Sequence, residues 1–323
     1  MSIGNSLASP AGQDGSHNPR VGAANSTAQR APNRSRVSVW SRFFRHRLAL
    51  VGSIIIVLLS LIVMIAPALF DLDPYTTDLR AYRKPPNADH WLGTDSSGRD
   101  VLARLVYAGR ISLSVGVVAV SIYVSIGIVL GALSGHYGKT VDNVIMRFAD
   151  VVMSFPRLLI IITVAGIIGP SIYNVMLIIG LLGWPPVARL VRGLFLSLRE
   201  QPFVMAARCS GASDFRLMFR HQLPNAISPV IVAATYGTAS AILTEAGLSF
   251  LGLGVQPPTA RWGNMLNEAQ SISILEKMPW LWIPPGVMIA ITVLSLNFVG
   301  DGVRDVLDPY QVSKAKVDKE RGQ

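Results

Sequence analysis

Residues 48–70 read LALVGSIIIVLLSLIVMIAPALF, a run of twenty-three residues without a charged side chain. No other feature limits the fold as much. The hydrocarbon core of a bilayer, about 30 Å thick, is crossed by about 20 apolar helical residues. The run is too long for the apolar region of a signal peptide and starts behind a 47-residue polar stretch, so it reads as a retained helix. Further apolar runs follow at about 111–133, 151–168, 171–188, 227–251 and 280–300. The third is interrupted by Pro156 and Arg157, and the fourth ends in Trp184-Pro185-Pro186. The expected fold class is an all-α membrane protein with six transmembrane helices. Composition agrees, because only 15% of the chain is charged against roughly 25% in soluble domains.

Six spans put both termini on one side. The connections 1–47, 134–147, 189–225 and 304–323 hold twenty Lys and Arg, and the opposite connections 71–110 and 252–279 hold eight. By the positive-inside rule the first set is cytoplasmic. The expected organisation is a cytoplasmic N-terminal tail 1–47, a first span 48–70, an extracytoplasmic loop 71–110 and a cytoplasmic tail 304–323. Residues 1–36 are rich in Ser, Ala, Asn, Gly and Pro and read as disordered, as does the Lys-rich end. The net charge of +10 belongs to these flanks and not to nucleic-acid binding. Trp262, Trp280 and Trp282 fit either an interfacial belt or core packing.

Catalytic chemistry is hard to find. Gly138-Lys139-Thr140 resembles the end of a phosphate-binding loop, but the first glycine would fall at Leu133 and an apolar helix precedes it. It reads better as a short turn. The five histidines are scattered, no nucleophile elbow occurs, and the single cysteine, Cys209, excludes a disulfide framework or a cysteine metal site. No catalytic group, metal site or cofactor is expected in the chain. Charges inside the runs are few. Asp150 and Arg157 stand seven apart, on about one helix face. An ionisable residue at depth suggests function. The bland reading is that Arg157 snorkels to the headgroups. Glu245, late in the fifth run, faces a translocation path or a subunit seam.

The segment 190–225 is too long for a hairpin between spans. Phe203-Val204-Met205-Ala206-Ala207 reads as a short apolar helix, broken at Gly211, where a left-handed backbone carries no Cβ penalty. A second helix, capped by Ser213 or Asp214, puts Phe215, Met218 and Phe219 on one face, and Pro224 ends it. The pair presents an apolar knob rimmed by Arg208, Arg216 and Arg220. Such a knob either docks into a partner's groove or lies on lipid headgroups.

Met205-Ala206-Ala207, Gly211-Ala212-Ser213-Asp214 and Leu223-Pro224 together resemble the EAA loop of ABC importer permeases, with Met205 where that family has Glu. The stretch from His90 to Leu105, HWLGTDSSGRDVLARL, resembles the segment ahead of the second span in the dipeptide/oligopeptide/nickel permeases. Glu245 to Pro258, followed by Trp262-Gly263, resembles the same family's segment after the fifth span. The resemblance covers roughly 37–310 and is that of a C-type subunit. It implies a type I core over 111–303 and a peripheral first span. It also implies a homologous permease partner, two cytoplasmic ATPase subunits carrying ATP and Mg, an extracellular or periplasmic solute-binding protein and a prokaryotic plasma membrane. The implied ATPase-coupling residues are Phe203, Met205, Ala206, Ala207, Arg208, Gly211, Ala212, Asp214, Phe215, Leu223 and Pro224. Peptides are the usual solutes of the family, with nickel, glutathione or sugars as alternatives. Two rivals stand beside this reading: an ion-coupled transporter using Asp150, Arg157 or Glu245, and a membrane scaffold.

Overall fold

The computed structural model describes residue 43 and residues 46–307, apart from 170 and 255–257. Most of the expected tails (all but 43, 46, 47 and 304–307), and the Val255-Gln256-Pro257 part of one motif, lie outside the described residues. Helices account for nearly all regular structure, with one isolated bridge between Thr94 and Asp100. Among the described residues five helices are long and apolar enough to span a membrane, or six if a bent pair counts as one.

Helix α1 is Arg47–Leu69, capped by His46, whose Nδ1 accepts from the Ala49 amide at 3.1 Å. Pro67 inside it cannot donate to the Val63 carbonyl four residues back. Arg110 Nε makes good that loss at 2.8 Å, and its Nη2 reaches the Met64 carbonyl at 2.7 Å. Arg110 thereby fastens α1 to α2.

Helix α2, Val101–Tyr137, has 37 residues and a length of about 55 Å at 1.5 Å per residue. It starts ten residues before the run read from the sequence, because Asp100 caps it and Arg104 is buried rather than looped out. Gly138 and Lys139, with φ of +64° and +48°, turn the chain into α3, Lys139–Ser154. Helix α4, Arg157–Ile168, follows at a bend of 82°. The third span is therefore not one straight helix over 151–168. Phe155 takes an extended conformation before Pro156, as the residue preceding a proline must, and the break follows.

Helix α5, Ile172–Arg199, runs through Pro185 and Pro186 and on past 188. It continues because Val191 and Phe195, both fully enclosed, pack against α2. The α2–α5 seam is made by glycines. A Cβ on Gly127, Gly131 or Gly135 would lie about 2.6 Å or less from Val187 Cβ, the Ala188 carbonyl or Phe195 Cβ respectively. Small residues let backbones approach where no hydrophobic force separates protein from lipid. Two ion pairs pin α3 to α5: Asp142 with Arg192 at 2.5 Å and Asp150 with Arg189 at 2.5 Å.

The short helix α6, Pro202–Cys209, precedes α7, Asp214–Phe250, which is 37 residues long. Pro224 does not end a separate second helix. A π-helical turn over Leu217–Gln222 shifts the hydrogen-bond register, with the Leu223 amide donating to Met218, and the chain passes Pro224 without a break. Small helices α8, Trp262–Asn267, and α9, Ile272–Lys277, lead into α10, Pro279–Leu307, which overruns the 304 boundary read from the sequence. His46 and Asp305, 3.2 Å apart, put the start of α1 and the end of α10 at one end of the bundle. Trp262 is fully enclosed and donates to the Leu105 carbonyl at 3.0 Å, so it is a core residue and not part of an interfacial belt.

Candidate functional site

Helix α5 is about 42 Å long by its rise per residue, well over the roughly 30 Å of hydrocarbon. Its last turns, with the matching end of α2, carry the 201–224 segment clear of the span. Pro202 opens α6 at a position where its missing amide costs nothing. Gly211, with φ of +79°, ends it. The Gly211 amide donates to the Arg208 carbonyl at 3.0 Å and Ala212 to Ala207 at 3.1 Å, a Schellman closure that needs the left-handed residue. Ser213 then stands as the N-cap of α7, without a side-chain hydrogen bond to the helix.

Two sides of this hairpin have different tasks. Val204 and Leu217 are buried, and Met218 is turned inward rather than joining Phe215 and Phe219. Phe203 at 43% exposure, Met205 at 57%, Phe215 at 69% and Phe219 at 43% stand outside, with the Phe215 and Phe219 rings 4.5 Å apart. Ala206, Arg208 and Pro224 are also exposed, while Ala207, Ala212 and Leu223 are half-buried. The hairpin is tied back to α2 by His136, which sequence reasoning dismissed as scattered. Its Nδ1 lies 3.0 Å from Gln222 Oε1 and its Nε2 lies 3.2 Å from Asp214. No local pattern could reveal that tie, since 86 residues separate His136 from Gln222.

A cavity of about 190 Å³ opens between the spans. Tyr123 of α2, Gly183 and Pro186 of α5, and Gly237 and Ser240 of α7 line it, together with Arg157. Arg157 turns to this cavity and donates to the Ile179 carbonyl at 3.2 Å. Asp150 and Arg157 do not share a helix face, because the 82° bend separates them and Asp150 pairs with Arg189.

Glu245 opens on neither this cavity nor an outer surface of the chain. It is fully enclosed, 3.0 Å from Arg261, and accepts from Ser249 at 2.7 Å. Burial pushes the Arg261 guanidinium below its ordinary value, and the carboxylate beside it works against that shift. The motif at 90–105 builds a second buried knot. Asp95 accepts from the Ser97 amide at 2.7 Å, from Arg99 Nε at 2.8 Å and from Arg104. His90 Nδ1 stands 2.8 Å from Asp100.

Residues 127–311 match the family described as binding-protein-dependent transport system inner membrane component, and residues 37–86 match the N-terminal TM domain of oligopeptide transport permease C. The chain belongs to the ABC importer permeases of the peptide family. It is 45% identical over 269 residues to a peptide permease protein of Brucella suis, covering 83% of this chain and 89% of the relative. Identity is 42% over 281 residues with the dipeptide transport system permease protein DppC of Alkalihalophilus pseudofirmus, covering 86% and 92%. With the glutathione transport system permease protein GsiD of Pectobacterium atrosepticum it is 40% over 272 residues, covering 84% and 89%. The fold is similar to that of an inward-facing structure of the MetNI methionine ABC transporter, with TM-score 0.51 and 20% identity over 64% of this chain and 97% of that one.

This permease is thus a multi-pass membrane subunit of an ATP-binding cassette importer. Its family is one of transport permeases and not a class of enzymes. An importer permease works with ATPase and permease subunits and a binding protein, so an exposed apolar hairpin at one end of the bundle has an occupant to expect.

Proposed function

We propose that this permease forms half of the translocation pathway for short peptides and transmits ATPase motion through the hairpin at 201–224. The observation that carries the coupling role is the apolar knob of Phe203, Met205, Phe215 and Phe219, held in solvent by a glycine turn and rimmed by arginines. An exposed apolar knob of this kind is stabilised by a partner's groove. The full assembly in this reading has one homologous permease, two ATPases that hold ATP and Mg, and a solute-binding protein. It sits in a prokaryotic plasma membrane with both termini cytoplasmic. The names of the relatives support peptides as the solute.

Gly211→Val and Ala207→Arg test the coupling role. Both are expected to insert and to pair with the second permease, yet to lose most co-purifying ATPase and peptide-stimulated ATP hydrolysis. Normal uptake by both variants would return the hairpin to a headgroup-lying role. Orientation has its own probe in Cys209, which is exposed at the end of α6. A membrane-impermeant thiol reagent is expected to label it only after the cells are opened.

A further inference from the structure

Among the described residues four acids have arginine partners within 4.0 Å. Asp142 faces Arg192, Asp150 faces Arg189, Glu245 faces Arg261, and Asp95 faces Arg99 and Arg104. Arg110 and Arg157 stand outside these pairs; Arg110 is taken up by the Val63 and Met64 carbonyls of α1. Among the described residues no carboxylate lies within 4.0 Å of Arg157, and its hydrogen bond is to a neutral carbonyl, that of Ile179.

Its position makes that more telling. Tyr123, Gly183 and Ser240 stand near the middles of α2, α5 and the apolar part of α7, so the cavity they share with Arg157 lies deep in the bundle. Arg157 is exposed in the single chain, on the rim of this cavity; a cation without a counter-charge at that level of a bilayer is unfavourable, and snorkelling would relieve it only if the side chain turned to a headgroup layer. Instead the guanidinium is turned to the cavity. It is placed there by the break at Phe155-Pro156, which aims α4 away from α3 and leaves Arg157 as the first residue of α4. Free amides at a helix start add positive potential, the wrong neighbour for a stabilising arginine and the right one for an anion.

The rest of the lining fits the same conclusion. It offers two hydroxyls, Tyr123 and Ser240, and no acid. Gly183 and Gly237 keep the walls low, and the Tyr123 hydroxyl lies where a Cβ on Gly237 would stand. At about 190 Å³ the space is smaller than the roughly 300 Å³ at which small-molecule sites begin, as befits one wall of a site completed by a second permease.

We propose that Arg157 is the anion-recognising group of the pathway, and that this permease passes solutes that present a free carboxylate to it. A guanidinium and two hydroxyls are the donors a carboxylate accepts from. This inference rests on the peptide reading above, and it names the part of the peptide that is read: the C-terminal carboxylate and not the side chains. The passing carboxylate supplies the charge that Arg157 lacks in the empty protein.

The test uses the assembled importer in vesicles, with uptake of one labelled dipeptide carrying a free C-terminal carboxylate and of the same dipeptide as its C-terminal amide. Rates are normalised to the amount of assembled complex. Because each variant is compared with wild type for the same peptide, selection by the binding protein cancels. Arg157→Gln is expected to lower carboxylate uptake about tenfold while the amide changes by less than about twofold, the loss of a hydrogen bond to a charged group being of that size. Arg157→Lys is expected to recover part of the rate. An equal fall for both peptides, or a fall for neither, overturns the proposal and assigns Arg157 to a contact within the assembly. If wild type does not carry the amide, saturation-transfer NMR of the carboxylate dipeptide on the complex without binding protein decides. There Arg157→Gln is expected to lose the signal, and an unchanged signal overturns the proposal. A wild-type complex that carries and binds neither dipeptide refutes the peptide reading itself, a result distinct from either failure of Arg157.

Discussion

At the end of the bundle that carries residues 71–100, charges are buried and matched. Arg99 and Arg104 close on Asp95, Arg261 closes on Glu245, and Trp262 fills the space between α2 and α8. At the other end Phe203, Met205, Phe215 and Phe219 stand in solvent with arginines around them. The first end buries matched charges within the chain, and the second leaves an apolar knob exposed. Both ends turn on a glycine with positive φ, Gly98 at +74° and Gly211 at +79°. A Cβ on Gly98 would overlap the Asp78 backbone, while Gly211 has nothing within 4 Å. The same backbone conformation therefore protects a packed knot in one place and shapes an open surface in the other.

Substitutions can break that contrast. The largest effect is expected from Arg261→Ala, which leaves the enclosed Glu245 without its cation. Removing one partner of a buried pair costs about 3–5 kcal/mol, and thermal unfolding of the solubilised complex is the measurement. If Arg261→Ala is tolerated as easily as a change in the knob, that end is not self-contained.

Next in size is the glycine pair. Gly98→Ala and Gly211→Ala carry the same left-handed penalty of about 1–2 kcal/mol, but only the first adds a clash with backbone. Gly98→Ala is expected to lower the unfolding temperature markedly and to leave any surviving complex coupled. Gly211→Ala is expected to change unfolding little and to weaken ATPase co-purification. Equal behaviour of the two would remove the distinction between packed and open turns.

The smallest effect on the fold is expected from Met205→Glu, which places the family's usual residue in the loop. Met205 is 57% exposed, and an exposed change is usually worth no more than about 0.5 kcal/mol. Unfolding should be unchanged, so any difference in ATP hydrolysis reports on the partner's groove. A large loss of stability would show that Met205 packs within this chain.

Much of this architecture was legible from local patterns. Long apolar runs marked α1, α2, α5, α7 and α10, since the bilayer sets a minimum length for an apolar helix. Phe203 to Ala207 followed by Gly211 marked the hairpin, because helix propensity and a left-handed stop act over a few residues. Neighbours decided the rest. Pro224 reads as a helix end in isolation, yet a π turn before it lets α7 continue. Arg104 reads as a loop cation until Asp95 is folded against it. Glu245 reads as a residue of the pathway or of a subunit seam until Arg261, sixteen positions on, is brought beside it. Arg157 reads as a snorkelling side chain until the bend at Pro156 turns it to Tyr123 and Ser240. The sequence by itself determined which segments form long apolar helices and where the hairpin lies, since those depend on apolar length and backbone conformation within one segment. Only the tertiary structure decided which charges are neutralised and which one faces the cavity, because an electrostatic partner is set by distance in space and leaves no period along the chain.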